Sequence, residues 1–312
     1  MENAGRYDAI VVGAGVAGLS AALVLGRSRR RVLVLDGGEP RNAPSSGVHY
    51  FLTRDGITPE EFLRVGREQL KPYPNVELRQ TRVTGAAGSD GDFEVTLEDG
   101  SVGARKLLLA TGVYDELPER PGFREFWGRG IYHCPYCHGW EVRDRPLAVL
   151  DPGEGAAERV ALIRNWSRDL ILLTDGPAML DDGSREKLDA LGVPINETPI
   201  SRLEGDEIAG VIRRIVFEDG SEVSREGIFY VPPQRQRSDL AEALGCEFEA
   251  TGPLPTVVKN DPTTKETTIA GVYVAGDAGT MIQAAITAAA SGAVAAAFIN
   301  HALVTQDTED QG

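Results

Sequence analysis

Cysteine is scarce in this chain, three in 312 residues, and aromatic residues make up only 6%. So few thiols exclude a disulfide-stapled scaffold, and those present are read for chemistry rather than for cross-linking. Basic residues are outnumbered, 32 Lys and Arg against 47 Asp and Glu, for a formal net charge of −15. That balance repels a DNA or RNA backbone, so no nucleic-acid partner is expected. The first residues hold no basic stretch leading into an apolar run, so no signal peptide is read there and a cytoplasmic location is expected. One stretch could imitate a membrane span, Met281 to Val304, but it is mostly alanine and is broken by Gln283, Ser291, Asn300 and His301. The expectation is a buried amphipathic helix and no membrane partner. With 42% hydrophobic residues the chain can bury the cores of two domains.

What is present begins with a nucleotide signature. Asp8-Ala-Ile-Val-Val12 is a short apolar run that feeds Gly13-Ala-Gly15-Val-Ala-Gly18, after which Leu19 to Gly26 reads as helix. In that strand-turn-helix context Gly13 makes the tight turn, Gly15 lets a pyrophosphate approach the backbone, and Gly18 allows close strand-helix packing. A second apolar run, Arg31-Val-Leu-Val-Leu35, ends in Asp36. An acid about twenty residues past the glycines accepts hydrogen bonds from a ribose diol. This fingerprint alone leaves NAD and FAD both open.

Cys134 and Cys137 stand in Tyr132-His-Cys-Pro-Tyr-Cys-His-Gly-Trp140. Two intervening residues let both thiols share one turn and close a small disulfide, and a helix N-terminus lowers a thiol pKa by stabilising the thiolate. Pro135 suits that first helical turn. The competing arrangement is a zinc site that adds His133 and His138. Ligands so close in sequence converge poorly on one tetrahedral ion, and no second ligand pair is evident elsewhere. Cys246, alone in Leu244-Gly-Cys-Glu, reads as a small buried hydrophobe.

Thr268-Ile-Ala-Gly-Val-Tyr-Val-Ala-Gly276-Asp277 resembles the second FAD motif of the flavoproteins with two dinucleotide-binding domains, and Leu107-Leu-Leu-Ala-Thr111-Gly112 resembles their A-T-G strand. The resemblance implies FAD as cofactor, Asp277 at its ribityl or phosphate region, and Gln283 and Ala284 beside the flavin ring. Gly37, Arg41 and Val83 complete the cofactor-binding candidates, with an exposed loop ion pair as the alternative role of Arg41; His49 is equally open. The position of the C-x-x-C is similar to that in low-molecular-weight thioredoxin reductases. In that family the second cysteine, here Cys137, faces the flavin, and the first, here Cys134, exchanges with substrate. An acid usually follows the second cysteine; His138 stands there instead, and either it or His133 is expected to act as general base near neutral pH.

Those reductases take hydride from NADPH at a second glycine fingerprint. Here the strand Leu147-Ala-Val-Leu150 runs into Asp151-Pro-Gly-Glu-Gly-Ala156, with Asp151 at the first glycine position. A carboxylate there opposes a pyrophosphate. After Leu170-Ile-Leu-Leu173 comes Thr174-Asp175-Gly176, where the family carries a His-Arg-Arg cluster for the 2′-phosphate of NADPH. Asp175 keeps the ribose-binding position, so NADH is the nucleotide least disfavoured. C-P-Y-C followed by His, together with a decayed pyridine-nucleotide site, looks like the FAD-dependent dithiol oxidases of the gliotoxin and holomycin type. That resemblance implies a small-molecule dithiol as substrate, oxygen as acceptor, hydrogen peroxide as by-product and a homodimer. The alternatives are an NAD(P)H- or ferredoxin-dependent disulfide reductase and a non-catalytic redox sensor.

The motif order implies an α/β protein of two Rossmann-like three-layer domains. A discontinuous FAD domain, 1 to 116 and 233 to 312, receives a central domain, 117 to 232. Pro118 and Pro121 mark the exit, and Val231-Pro-Pro-Gln-Arg-Gln-Arg237 the return. Phe93-Glu-Val-Thr-Leu97 and Arg214-Ile-Val-Phe217, each followed by Glu-Asp-Gly, read as hairpin strands. The acidic end, Asp307 to Gly312, is expected to be disordered.

Overall fold

The computed structural model describes residues 6–153, 155–251 and 254–309. By internal contacts the chain divides into two units, one of Met1–Ala43, Pro59–Asp115 and Gln234–Gly312, the other of Pro44–Thr58 and Glu116–Pro233. The segment 44 to 58, expected with the first unit, thus makes its contacts in the second.

In the first unit the strands β1 (Tyr7–Val12), β2 (Val32–Asp36) and β3 (Val76–Gln80) lie parallel, and β1 also pairs in parallel with β6 (Gly100–Leu109). The near-continuous apolar runs of β1 and β2 suit a parallel sheet covered on both faces. Because successive side chains alternate in direction, Ala9, Val11, Val32, Val34 and Leu108 meet the helix α1 (Val16–Arg27) and the last helix, Ala285–Glu309. Ile10, Val12, Leu33, Leu35, Leu107 and Leu109 face the other way, onto Phe93, Val95, Leu240 and Cys246. The antiparallel strands β5 (Asp92–Leu97) and β4 (Val83–Ser89) continue the same sheet from β6, and their apolar side chains join the short helix Leu240–Ala243 on that second face. The strand Val272–Val274 joins β6 in parallel and delivers the chain to Gly276 and Asp277. Cys246 is buried as expected, its Sγ 3.5 Å from Thr267 Oγ1.

The last helix buries one stripe, Ala288, Gly292, Ala295, Ala296, Ile299 and Leu303. A Cβ on Gly292 would stand 2.0 Å from the Ala17 carbonyl oxygen, so the two helices meet almost backbone to backbone. The outer face carries Ile286, Val294 and Val304, with charge entering only at Asp307 and Glu309 in the last turn. Small residue size, more than the expected amphipathic pattern, decides which side packs, and by length and composition this helix could also cross a membrane. It runs to Glu309, so the start of the acidic end is helical, and residues 310 to 312 lie outside the described residues.

The second unit repeats the plan. Its parallel sheet orders Ile195–Asn196, Leu170–Leu173, Leu147–Leu150, Gly227–Tyr230 and Ile131–Tyr132. Leu147 and Val149 pack on the helix Ala156–Ile163, while Ala148 and Leu150 face the antiparallel strands Ile200–Asp206 and Val211–Phe217. The expected hairpin at residues 214–217 lies in the latter strand.

Candidate active site

Cys134 is the N-cap of a one-turn helix, Pro135–His138, with Pro135 in the first turn. Backbone N–H groups of Cys137 and Tyr136 point toward the Cys134 sulfur, but the hydrogen bond from the Cys137 thiol does most to pull the Cys134 pKa down, to about 7, against the effect of burial. Both sulfurs belong to half-buried residues.

His138, next in the chain, is stacked on Tyr132 with ring centroids 5.1 Å apart. Its Nε2 meets Ser45 Oγ at 3.0 Å, and that hydroxyl donates to the Gly47 carbonyl oxygen at 2.9 Å. A hydroxyl has one proton. With that proton given to Gly47, Ser45 accepts from His138, which places the imidazole proton on Nε2 and leaves Nδ1, buried and without a partner, as the bare acceptor. Burial, and then the neighbouring His49, pushes the His138 pKa down to about 4. This weighs against His138, and for His133, as the expected base. A ring so readily deprotonated is a weak acceptor for thiol protons near neutrality. His133 is half-buried directly before Cys134.

Residues 44 to 58 supply side chains that sequence reasoning missed or left open. Besides Ser45, His49 lies 5.8 Å from His138 ring to ring, with Nδ1 3.6 Å from Asp55 and 3.7 Å from Glu141. Tyr50 places its hydroxyl 3.9 Å from Cys137 Sγ. No periodicity or motif marks these positions, and only the His-Tyr pair after Gly47-Val48 offered a signal.

In the first unit the glycine turn has the geometry expected of it. Gly13 has φ +105°, and a Cβ there would lie 2.4 Å from the Ala110 carbonyl oxygen; a Cβ on Gly18 would lie 1.9 Å from the Gly13 oxygen. A Cβ on Gly15 would meet nothing within 4 Å, and Gly15 caps α1 without a side-chain hydrogen bond. The helix thus offers its first amides, backed by its dipole, to an anion. Asp36 closes β2 beside this turn, its Oδ1 accepting from Ala14 N–H at 3.3 Å and its Oδ2 3.2 Å from Arg67. Gly37 follows with nothing near its Cβ direction, and Gly112, with φ +70°, ends the A-T-G segment after Thr111. Val83 is half-buried at the start of β4 and packs on the core under the sheet.

Arg41 is no exposed loop residue. It makes two 2.7 Å hydrogen bonds to Asp115 and reaches Asp277 and Gln283, each at 2.8 Å. Gln283 donates to Gln234 at 2.7 Å, and Ala284 follows at the entry to the last helix. Asp115 and Gln234 are further members that the sequence did not flag. A glycine turn open at Gly15, an uncapped helix start and a ribose-seeking acid fit the diphosphate and ribose of a dinucleotide.

The second cradle is built differently. Asp151 accepts the Gly153 N–H at 2.9 Å and is bound by Arg159 at 2.7 Å. The amide that a phosphate would use is therefore satisfied within the chain. The expected obstacle was bare negative charge; with Arg159 beside it the carboxylate is ion-paired, and the obstacle is occupancy of the donor. Asp175, at φ +54°, is engaged by Arg120 through both carboxylate oxygens and accepts the Ile200 N–H at 2.7 Å. Its oxygens are engaged, as those of Asp36 are by Ala14 and Arg67, so the two cradles differ first in the carboxylate at residue 151.

Residues 7–292 match the family model described as pyridine nucleotide-disulphide oxidoreductase. The chain is 34% identical over 310 residues to the thioredoxin reductase sirT of Leptosphaeria maculans, covering 94% of this chain and 93% of that one. The crystal structure of HlmI superposes with a TM-score of 0.91 at 38% identity, covering 100% of this chain and 96% of the other. A putative thioredoxin reductase TrxB from Bacillus anthracis superposes with a TM-score of 0.88 at 34% identity, covering 96% and 99%.

Proposed function

Because the chain belongs to the pyridine nucleotide-disulphide oxidoreductase family, we propose that it is an FAD-dependent dithiol oxidase that closes a disulfide in a small-molecule dithiol through Cys134 and Cys137, with oxygen as acceptor and hydrogen peroxide as by-product. At the coarser level the chain is a thioredoxin-reductase-like disulfide oxidoreductase and an FAD-binding flavoprotein. Gly13, Gly15, Gly18, Asp36 and Asp277 would hold the cofactor.

The observation that carries the finer reading is the self-satisfied second cradle. With Asp151 holding the Gly153 amide and itself held by Arg159, a nicotinamide nucleotide would have to displace that carboxylate to gain its diphosphate contact. The donor left to such a protein is sulfur. Resemblance to the dithiol oxidases of the gliotoxin and holomycin type supports the same reading, as does the histidine after the second cysteine.

In this reading a substrate thiolate attacks Cys134 Sγ of the oxidised pair. The S–S bond breaks and its electron pair leaves on Cys137. The second substrate thiolate then attacks the substrate sulfur of the mixed disulfide, the product disulfide forms, and Cys134 departs as a thiolate. His133, half-buried beside Cys134, is the base this reading retains for the substrate protons. Bound FAD supplies the two-electron acceptor for the reduced pair and the route to oxygen. The substrate is a dithiol precursor of a sulfur-bridged natural product, and the working form is a homodimer in the cytoplasm.

Anaerobic spectroscopy tests this directly. One equivalent of a dithiol should bleach the flavin band, and NADPH or NADH at the same dose should leave it unchanged. Rapid bleaching by a stoichiometric dose of either nicotinamide would overturn the proposal.

A further inference from the structure

Tyr50 is held in a costly way for a residue that adds little to the core. Its backbone lies in the left-handed region, φ +46°, and so does that of Thr53, φ +75°. Such conformations are costly for residues other than glycine and persist where surrounding contacts enforce them. Here the Tyr50 N–H donates to Asp55 Oδ1 at 2.7 Å, and an antiparallel bridge between Val48 and Ile57 closes the loop. The ring is 44% exposed. Its hydroxyl is nonetheless aimed at Cys137 Sγ, 3.9 Å away.

A phenol both accepts and donates. Toward a Cys137 thiol it accepts; toward a Cys137 thiolate it can only donate. We propose that Tyr50 is a catalytic hydrogen-bond donor to Cys137, holding the thiolate that forms when the Cys134–Cys137 bond is broken with its electron pair on Cys137. The proposal rests on the reading of the cysteine pair as redox-active and deepens it. The hydroxyl keeps its proton for this task. Burial first, and then the two nearby sulfurs, raise the Tyr50 pKa far above the physiological range. No proton is transferred, so the donor is available again in every cycle.

The test uses flavin-loaded protein carrying Cys134→Ser, in which Cys137 is the only thiol of the pair, with and without Tyr50→Phe. The rate of iodoacetamide alkylation of the Cys137 peptide is followed against pH by mass spectrometry. Loss of a hydrogen bond to a charged sulfur should raise the alkylation midpoint by roughly 0.5–1 pH unit. Because the ring is retained, the melting temperature and the flavin absorbance should not change, and a purely structural role would leave the midpoint where it was. An unshifted midpoint, in a protein whose parent chain is still reduced by dithiols, overturns the assignment of Tyr50 alone. A shifted midpoint in a chain whose flavin no dithiol reduces leaves the hydrogen bond but removes its role, and overturns the redox reading with it.

Discussion

Ser45 Oγ lies 3.0 Å from Nε2 of His138, joining positions 93 apart in sequence. The contact fixes which nitrogen of the neutral ring carries the proton, and the lowered pKa of that ring has a thermodynamic consequence. With a folded pKa near 4 against 6.5 unfolded, the unfolded chain binds the proton more tightly. The stability contributed by neutral His138 is therefore complete above pH 6.5 and is lost as pH falls toward 4. The total is on the order of 3 kcal/mol. Comparing urea unfolding of the wild type and of His138→Asn across this window should show a steeper decline in the wild type, and parallel curves would contradict the assigned protonation state.

The thiolate on Cys134 depends first on Cys137. Alkylation of reduced wild-type protein should show Cys134 titrating near pH 7. In Cys137→Ala the midpoint should move up toward the ordinary thiol range, since the backbone donors remain but the stronger contributor has gone. A midpoint indifferent to Cys137 would mean that the turn itself, and not the partner thiol, sets the acidity.

Replacing Cys137 by Ser should abolish flavin reduction by dithiols while leaving flavin content intact. Survival of that step, followed by anaerobic bleaching, would rule out the assigned electron path.

Asp151→Gly should free the Gly153 amide and the Arg159 guanidinium together. One regained charge-assisted contact corresponds to about tenfold in affinity. Fluorescence titration with NADPH should thus show tighter binding than in the wild type, and equal binding would mean that the Asp151–Arg159 pair is not what closes the cradle.

Gly292→Ala pushes a methyl group into the Ala17 carbonyl. Backbone cannot yield as a flexible side chain can, so the change should cost about 1–3 kcal/mol. Calorimetry should record a lower melting temperature, with easier loss of flavin because α1 presents its first amides to the cofactor. A neutral substitution would show that the two helices have slack between them.

Much of the scaffold could be read from the sequence because its determinants are local. The run into Gly13, the acid at the end of β2 and the alternation at 93–97 each lie within one element and its turn, and each is found as expected. The contacts that tune the site are not local. Arg41 meets Asp115 across 74 positions, Tyr50 meets Cys137 across 87, and Arg120 meets Asp175 across 55. Nothing in the flanking residues of any of these six encodes its partner. The lowered pKa of His138 is hidden for the same reason, since its contacts with Ser45 and His49 are invisible in Cys-His-Gly-Trp.

The stretch from Pro44 to Thr58 also bears on how portable the cysteine-bearing half is. Excising residues 116 to 233 would look like a clean cut, yet the piece removed would leave behind the serine beneath His138 and the phenol beside Cys137. Gene fusions that shuffle such halves between relatives inherit a hidden passenger from the other parent. A chimera would therefore be expected to keep its colour and lose its thiol chemistry unless those few residues travel with the graft.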